Sequence, residues 1–424
     1  MMTSIFKGKI KFTYKSSDNH KIGLGVTMQI YRKLTYLSLI LKKIKETINL
    51  ISDIYPVILA ILIILASMIS IKWSISISIV EIIMGVIAGN LGILHVEPWM
   101  IYIASVGGMI LTFLAGTEIN IQIMKSNLKE CISIGIASFL LAFITVFITC
   151  NYILSWPQQS SLLVATALSE TSIAIVYSVI IDKNLSEKKL GTILMGSTFI
   201  TNICTAATLS ILFMKPTIET LIFIITSIII LVFAYKYSDI LFESKTFSMN
   251  KNEIELKYIF LLLTILIFFA TLGGGQALLP VFILGALLSK QFTHTNKNDM
   301  LTRLQTVSFT IFTPIFFIVG GTKVSIPIII STIGIFLLIF VVRQVGKFIG
   351  VYTIVKKSLS KHHMYITMIM STGLTFGLVA ALYGLNNHII PQHIYSILAG
   401  VLVLSAILPS FIGDKFYAPS FEEL

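Results

Sequence analysis

The sequence is a succession of long apolar segments separated by short polar ones, and this alternation limits the folds open to the chain. Of its 424 residues, 56% are hydrophobic and only 12% are charged, whereas a soluble globular protein carries about 25% charged residues. So few charged side chains cannot cover the surface of several soluble domains. The composition therefore excludes a soluble enzyme, a disordered chain and a nucleic-acid-binding protein, and predicts an all-α polytopic membrane protein.

Thirteen apolar segments are candidates for transmembrane helices, since a helix needs about 20 mostly apolar residues to cross the hydrocarbon. We predict spans at 54–71, 76–95, 99–119, 130–151, 158–182, 190–214, 217–235, 258–273, 276–289, 305–322, 326–355, 364–386 and 392–413. The longest, 326–355, must tilt or extend past the bilayer. This count divides the chain into a basic N-terminal segment at 1–53, a transmembrane domain at 54–413 and a short tail at 414–424.

Basic residues alternate between successive loops. The loops after even-numbered spans contain two, Lys215 and Lys323. The loops after odd-numbered spans contain sixteen: Lys72, Lys125, Lys129, Lys183, Lys188, Lys189, Lys236, Lys245, Lys251, Lys257, Lys290, Lys297, Arg303, Lys356, Lys357 and Lys361. Because basic loops stay in the cytoplasm, we predict a cytoplasmic C-terminus. The net charge of +12 then reports topology and not nucleic-acid binding.

The segment 1–53 carries ten basic and three acidic residues. Apolar residues recur in it every three or four positions, at Leu34, Leu37, Leu41, Ile44, Ile48 and Ile51. This spacing is typical of an amphipathic helix that lies in the membrane interface and contacts lipid. A disordered tail, or a chain that begins at Met28, remains an alternative.

Two pairs of spans repeat the same residues at similar spacing. Spans three and ten end in the related triplets 115–117 and 320–322, Ala-Gly-Thr and Gly-Gly-Thr. Spans five and twelve share Leu168-Ser169 with Leu374-Thr375, and Ala174 and Tyr177 with Ala380 and Tyr383. The partners lie seven spans apart, an odd number, so the two copies are inverted. Inverted repeats are typical of secondary transporters with a site near the midplane.

Spans five and twelve contain polar runs that tolerate local unwinding. Segment 166–172 reads Thr-Ala-Leu-Ser-Glu-Thr-Ser, and its inverted partner 371–377 reads Ser-Thr-Gly-Leu-Thr-Phe-Gly. Serine and threonine hydroxyls satisfy backbone groups that unwinding frees. We therefore expect two broken helices.

Ionisable residues inside the membrane are costly, roughly 2.5–3.5 kcal/mol each at the helix centre. Span five contains Glu170, and span eleven carries Arg343 and Lys347 on one face. We expect Glu170 to take a proton or to pair with one of these cations, and either state makes a site that can exchange a proton for a cation. A static ion pair that only joins helices is the alternative. Three further acidic residues lie near span ends and are expected at the interface: Glu81, Glu97 and Glu118.

The sequence lacks the signatures of several other functions. It has no Gly-x-x-x-x-Gly-Lys-Ser/Thr phosphate loop, and its His, Asp and Cys residues are not clustered at a membrane face. We therefore expect no ATP-driven transport by this chain alone, no enzymatic activity and no cofactor.

Three segments resemble motifs of a known family. They are 113–119 (Phe-Leu-Ala-Gly-Thr-Glu-Ile), 314–320 (Pro-Ile-Phe-Phe-Ile-Val-Gly) and 371–377. In this order the chain resembles, over about residues 54–413, the monovalent cation:proton antiporters of the second type, which are the bacterial sodium/proton and potassium-efflux antiporters. The resemblance implies thirteen helices, a dimerisation domain that makes a homodimer, and a six-helix core in which spans five and twelve are broken and cross.

One departure from the family bears on the site. In the family, the helix that matches span six carries an acidic pair or a Thr-Asp, and its second acid binds both cation and proton. The matching positions here are Thr201 and Asn202, neither of which ionises. The family's core basic residue matches Lys347, which is present. Glu170 is the mid-membrane carboxylate that remains nearby.

Our leading hypothesis is a secondary transporter that exchanges Na⁺ or K⁺, with Li⁺ as a further test ion, for protons. Glu170 would bind cation and proton competitively, and Lys347, with Arg343 as a second charge partner, would pair with it when no cation is bound. Neutral oxygen ligands would come from Thr171, Ser172, Thr201, Asn202 and Thr375. The second hypothesis is an antiporter-like protein that has lost proton coupling, a channel-like or regulatory relative, because Asn202 replaces the usual Asp.

Overall fold

A computed structural model describes residues 54–73, 76–117, 127–183, 185, 188–214, 217–243, 253–273, 277–293, 298–358 and 362–417. The predicted interfacial helix in 1–53, Glu118 and most of the C-terminal tail lie outside these residues. Over the described part of the chain, all regular structure is helical and no strand occurs. The all-α prediction is confirmed.

The described helices follow the predicted spans in order. They are α1 Ile54–Trp73, α2 Ile77–Asn90, α3 Pro98–Thr117, α4 Leu128–Ile148, α5 Gln158–Ser169, α6 Ile173–Asp182, α7 Lys189–Leu212, α8 Ile218–Glu243, α9 Ile254–Leu272, α10 Leu278–Thr293, α11 Asn298–Val307, α12 Thr313–Thr322, α13 Ile326–Ser331, α14 Ile333–Ser358, α15 His363–Met370, α16 Thr375–Asn386 and α17 Gln392–Phe416. Single π-helical turns at Thr149–Ile153 and Ser308–Phe312 extend α4 and join α11 to α12.

Eleven helical segments of the described chain are long and apolar enough to cross a membrane. The second and ninth predicted spans correspond to shorter apolar helices, Ile77–Asn90 and Leu278–Ser289. The count of thirteen spans therefore stays a prediction.

The prediction of one continuous span over 326–355, which would have to tilt or extend past the bilayer, is wrong, because two helices occupy this segment. The helix divides at Thr332, whose φ of −116° and ψ of 27° leave the helical region. The Thr332 hydroxyl donates to the Ile328 carbonyl at 2.7 Å and closes the last turn of α13. The residues on both sides of Thr332 are mostly apolar, so the hydrophobicity of the sequence does not reveal the division.

Two equivalent glycine contacts confirm the inverted repeat. In the pair α2–α12, a Cβ built on Gly321 would lie 2.2 Å from a carbonyl oxygen of α2 and 3.0 Å from the Cα of Gly85. In the pair α3–α10, a Cβ built on Gly116 would lie 2.3 Å from a carbonyl oxygen of α10 and 3.0 Å from the Cα of Gly285. Gly116 and Gly321 occupy the same position in the repeated triplets, and only glycine allows backbones to approach this closely.

Both predicted helix breaks are present. The first separates Ser169 at the end of α5 from Ile173 at the start of α6, and the second separates Met370 from Thr375. The two helices that precede the breaks end 201 residues apart, and the two that follow begin 202 residues apart. The residues matched in the sequence, such as Leu168 and Leu374, are 206 apart. The sequence match identifies the correct helices, but it pairs their residues about one helical turn away from the pairing in the structure. The breaks meet where the Thr171 hydroxyl donates to the Met370 carbonyl at 3.1 Å.

From residue 58 onward, the described residues form one compact unit in which the helices pack in two groups. The helix α14 packs along α4, and α7, α15, α16 and α17 surround the α5–α6 break. In the other group, α2 and α3 pack on α12, and α8 packs on α9 and α10. The broken helices therefore lie inside the first group.

Candidate functional site

The first break exposes a short stretch of extended backbone within the protein interior. Glu170 follows α5 with φ of −67° and ψ of 162°, so its peptide groups leave the helical hydrogen-bond ladder. The side chains of Glu170, Thr171 and Ser172 are all 0% exposed. Thr375 at the start of α16 and Thr201 and Asn202 in the middle of α7 are buried around them, so every predicted ligand lies in the interior.

Arg343 holds the ends of both broken helices. Its Nε donates to the Leu168 carbonyl at 2.8 Å, one terminal nitrogen donates to the Ser371 carbonyl at 2.7 Å, and the other contacts the Glu170 carbonyl at 3.4 Å. The carbonyl ends of α5 and α15 carry partial negative charge, which the guanidinium neutralises. Gly373 makes room for it, since a Cβ there would lie 2.2 Å from this guanidinium.

Lys347 binds hydroxyl groups. Its Nζ donates to the Thr171 Oγ1 at 2.8 Å and to the Ser138 Oγ at 3.1 Å, and the side chain is fully buried. The predicted pairing of Lys347 or Arg343 with the Glu170 carboxylate is not the arrangement in this structure. The hydroxyl of Thr171, the residue after Glu170, accepts a hydrogen bond from the Lys347 ammonium. Backbone carbonyls accept the hydrogen bonds of the Arg343 guanidinium.

Six buried oxygens around the breaks have no hydrogen-bond partner among the described residues. By geometry they are both carboxylate oxygens of Glu170, the hydroxyls of Ser172, Ser197 and Thr375, and the amide oxygen of Asn202. The Glu170 carboxylate is still not isolated, because the backbone N–H groups of Leu374 and Gly377 and the charges of Arg343 and Lys347 act on it. The Asn202 amide nitrogen is used, because it donates to the Thr171 carbonyl at 3.0 Å. Buried polar atoms are normally paired, so a concentration of unpaired oxygens indicates a site for a ligand that takes oxygen donors.

Two members of the site differ from the sequence expectation. The Thr201 hydroxyl donates to the Ser197 carbonyl within α7 at 2.8 Å, so it has an internal partner that the other predicted ligands lack. Ser197 was not among the predicted ligands, although its hydroxyl is unpaired. Its place four residues before Thr201, on the polar face of span six, is the signal that identifies it.

Two cavities lie between helices of the described structure. A cleft of about 520 Å³ lies between α1, α2, α6 and α17 and has Ser178 and Asp414 among its lining residues. A cavity of about 220 Å³ lies between α3, α12 and α16 and has Lys323 and Asn386 among its lining residues. The Lys323 Nζ donates to the Asn386 Oδ1 at 2.8 Å, and partial burial lowers the pKa of the Lys323 ammonium. The second cavity is therefore bridged by a polar contact between the two groups of helices.

The interfacial position expected for Glu81 is wrong in one respect. Glu81 lies one turn inside α2, as its place near a span end predicts, but its side chain is only 1% exposed. Its Oε2 is buried without a hydrogen-bond partner among the described residues. Proximity to a span end gives the depth of a residue, whereas lateral packing against other helices decides whether it meets solvent.

Comparisons with known proteins agree with this architecture. The family model described as the transmembrane sodium/hydrogen exchanger matches residues 57–413. A probable Na⁺/H⁺ antiporter of Methanocaldococcus jannaschii is 25% identical over 313 residues, which cover 70% of this chain and 78% of that protein. A Na⁺/H⁺ antiporter of Enterococcus hirae is 22% identical, with 83% of this chain and 94% of that protein covered. A putative Na⁺/H⁺ antiporter of Bacillus subtilis is 23% identical, and its match covers 82% of this chain but 60% of the relative.

The solved structure of the sodium proton antiporter MjNhaP1 from Methanocaldococcus jannaschii at pH 8 superposes with a TM-score of 0.66. It covers 87% of this chain and 100% of the solved chain at 17% sequence identity, so the likeness establishes the fold. The family model covers most of the chain, and the resemblance seen in the sequence motifs is confirmed. This chain is an integral multi-pass membrane protein that belongs to the sodium/hydrogen exchanger family.

Proposed function

We propose that this protein is a secondary active transporter that exchanges Na⁺ or K⁺ for protons, with Glu170 as the residue that binds either one. The observation that carries the proposal is a carboxylate with no exposure that forms no ion pair with a described cation, although Arg343 and Lys347 are near enough to act on it. An unpaired buried carboxylate costs several kcal/mol, and a bound proton or a bound cation removes that cost. One carboxylate cannot hold both, so binding is competitive and the two fluxes are coupled.

The neutral oxygens around Glu170 supply the rest of a cation cage. Ser172, Ser197, Asn202 and Thr375 each contribute an unpaired oxygen, and hard cations favour oxygen ligands. One negative carboxylate with several neutral oxygens suits a monovalent ion. The Na⁺/H⁺ antiporters among the relatives favour Na⁺ as the transported cation.

Lys347 and Arg343 have different tasks in this proposal. Arg343 donates hydrogen bonds to backbone carbonyls at both breaks and so fixes the ends of the two broken helices relative to each other. Lys347 is bound to Thr171, the residue next to Glu170. When the cation leaves, a shift of the Lys347 ammonium from the hydroxyl to the carboxylate compensates the charge, as we expected from the sequence.

The membrane arrangement follows the charge bias of the loops. We propose a cytoplasmic C-terminus, location in a bacterial inner membrane and a homodimer, the last of which the family resemblance implies. The broken helices would move with the first group of helices against α2, α3 and α12, and so would open the site to each side in turn.

Reconstitution in vesicles with a trapped pH dye tests the proposal. Gradients of Na⁺, K⁺ and Li⁺ imposed in turn should change the internal pH for the transported ions. Glu170→Gln should abolish the exchange, whereas Glu219→Gln, at an exposed position in α8, should retain it. Cation-driven proton flux that persists in a folded Glu170→Gln protein would overturn the assignment of Glu170.

A second candidate function is an antiporter-like protein without proton coupling. It is favoured by Asn202, whose amide cannot ionise and donates a hydrogen bond to the Thr171 carbonyl. The variant Asn202→Asp distinguishes the two candidates. Proton-coupled flux in this variant but not in the parent would favour the uncoupled protein, and coupled flux in the parent would exclude it.

A further inference from the structure

The end of α12 and the connection that follows it are joined to the start of α17 by two buried hydrogen bonds. The Tyr395 hydroxyl donates to the Gly320 carbonyl at 2.6 Å, and the backbone N–H of Ser325 donates to the Ser396 hydroxyl at 3.0 Å. The side chains of Tyr395 and Ser396 are 0% exposed. Carbonyl groups in the last turn of a helix generally lack a partner within that helix, so Tyr395 satisfies Gly320 from another helix.

Two further hydrogen bonds lie beside these, nearer the surface. The Lys323 ammonium donates to the Asn386 Oδ1 at 2.8 Å, and the Gln392 amide nitrogen donates to the Lys323 carbonyl. Asn386 and Gln392 are exposed, and Lys323 is half-buried. We call the two buried and the two outer hydrogen bonds together the clasp.

The clasp crosses the boundary between the two groups of helices. The helix α12 packs with α2 and α3, whereas α16 and α17 surround the broken helices. The 220 Å³ cavity lies at the same boundary, between α3, α12 and α16, and Lys323 and Asn386 line it. The clasp therefore holds the two groups together at this cavity.

The order of residues along α17 places the clasp and the 520 Å³ cleft on opposite sides of the candidate site. The clasp uses residues 392–396, near the start of the helix, and the α17 residues that line the cleft lie within 406–414. Between these stretches, Leu402 contacts Gly377 in the first turn after the second break, where an added Cβ would lie 2.5 Å from the Leu402 side chain. At a rise of about 1.5 Å per residue, the clasp and the cleft are at least about 15 Å apart. The boundary between the groups is thus bonded at one end and contains a cleft at the other.

The distribution of basic residues also sets Lys323 apart. It is one of two basic residues in the loops after even-numbered spans, whereas sixteen lie in the loops after odd-numbered spans. In the proposed orientation the clasp therefore lies on the outer side. Its contacts are hydrogen bonds to neutral groups, each of which contributes little net stability. Such contacts can break and form again within a transport cycle.

We propose that the clasp is the gate that closes the outer route to Glu170, and that it opens and re-forms once in each exchange cycle. The cycle rests on the proposed function, whereas the closure of the route does not. Opening requires α16 and α17 to move away from the end of α12, which breaks all four hydrogen bonds. The alternative is a hinge, because α13, which follows the clasp in the chain, packs on α17. A hinge would keep these bonds throughout the cycle.

Thiol labelling tests the closure without transport. The reporter Ala104→Cys, at a cavity-lining position that is 4% exposed, is introduced into a protein whose three native cysteines are replaced by alanine. A membrane-impermeant methanethiosulfonate is added to the face opposite the basic loops. Tyr395→Phe with Ser396→Ala removes both buried contacts and should raise the labelling rate by about tenfold or more. The matched control, Tyr365→Phe with Ser405→Ala, removes hydrogen bonds within the first group of helices and should label at the rate of the reporter protein. Equal rates in the folded clasp and control variants would overturn the proposal.

Cross-linking tests whether the clasp must open. In Lys323→Cys with Asn386→Cys, a short bifunctional methanethiosulfonate joins the two groups of helices, and a reductant releases them. Exchange in vesicles should stop after cross-linking and return after reduction, whereas each single variant should keep its exchange after the same treatment. Exchange that continues in the cross-linked protein would identify the clasp as a hinge and overturn the gate. Absence of exchange in the parent would contradict the proposed function instead, and the labelling rates would still decide whether the clasp closes the outer route.

Discussion

The Lys347 ammonium lies 2.8 Å from the hydroxyl oxygen of Thr171, and not against the neighbouring carboxylate. The same hydroxyl donates to the Met370 carbonyl at 3.1 Å. One threonine side chain thus connects α14 to the end of α15 across both helix breaks, and the Lys347 ammonium forms no ion pair with Glu170.

Replacing this hydroxyl should weaken cation binding. In Thr171→Val the ammonium loses its acceptor beside Glu170 and is free to pair with the carboxylate, so a cation must displace it. We expect the KM for the transported cation to rise about tenfold, the equivalent of one hydrogen bond to a charged group. Thr171→Ser keeps the hydroxyl and should behave as the parent. Equal KM values for the Val and Ser variants would contradict this role of Thr171.

Arg343 should contribute to stability more than to ion selectivity. Arg343→Gln leaves buried carbonyls at the ends of α5 and α15 without their charged donor, and we expect the free energy of unfolding to fall by about 3 kcal/mol or more. Thermal unfolding in detergent measures the loss. The control is Arg303→Gln, because Arg303 pairs with Glu253 on the exposed surface and such pairs contribute about 1 kcal/mol or less. Equal losses for the two variants would be inconsistent with the bridging contacts.

The glycine contacts predict a position-specific loss of stability. Gly321→Ala places a methyl group 2.2 Å from a backbone oxygen of α2, and since neither backbone can yield locally, we expect a cost of about 1–3 kcal/mol. Gly334→Ala in α14 is the matched control, because no atom lies within 4 Å of the added Cβ. The melting temperature should fall for the first variant only. A fall of the same size in both would show that helix propensity, not close packing, is responsible.

Lys323 should affect how the stability of the folded protein changes with pH. Burial lowers the pKa of its ammonium, so the folded protein binds this proton less firmly than the unfolded chain does. Its charge therefore disfavours the folded state at neutral pH, and the penalty decreases as the pH rises from the lowered pKa toward the usual lysine value. In Lys323→Met the alkaline gain in melting temperature should be smaller than in the parent. A larger gain in the variant would contradict a lowered pKa of Lys323 in the folded protein.

The fold is predictable from the sequence because membrane crossing has strict requirements of length and apolarity. Polar runs in apolar spans likewise predicted both breaks around Glu170. The contacts of Lys347 cannot be predicted from the sequence. Whether its ammonium meets the Glu170 carboxylate or the Thr171 hydroxyl depends on the direction of these side chains at an irregular backbone. The burial of Glu81 and the division at Thr332 were missed because hydropathy measures depth and length. It does not measure the lateral packing or the local dihedral angles that decide these features.

The two glycine contacts have a consequence for how the chain assembles. In each, a helix of the first repeat packs on a helix of the second: α2 on α12, and α3 on α10. Neither repeat contains both members of a pair, so neither can complete its own glycine contact. The halves are intertwined in the manner of a domain-swapped dimer within one polypeptide. The two glycine contacts can therefore form only after α10 and α12 have been synthesised and inserted.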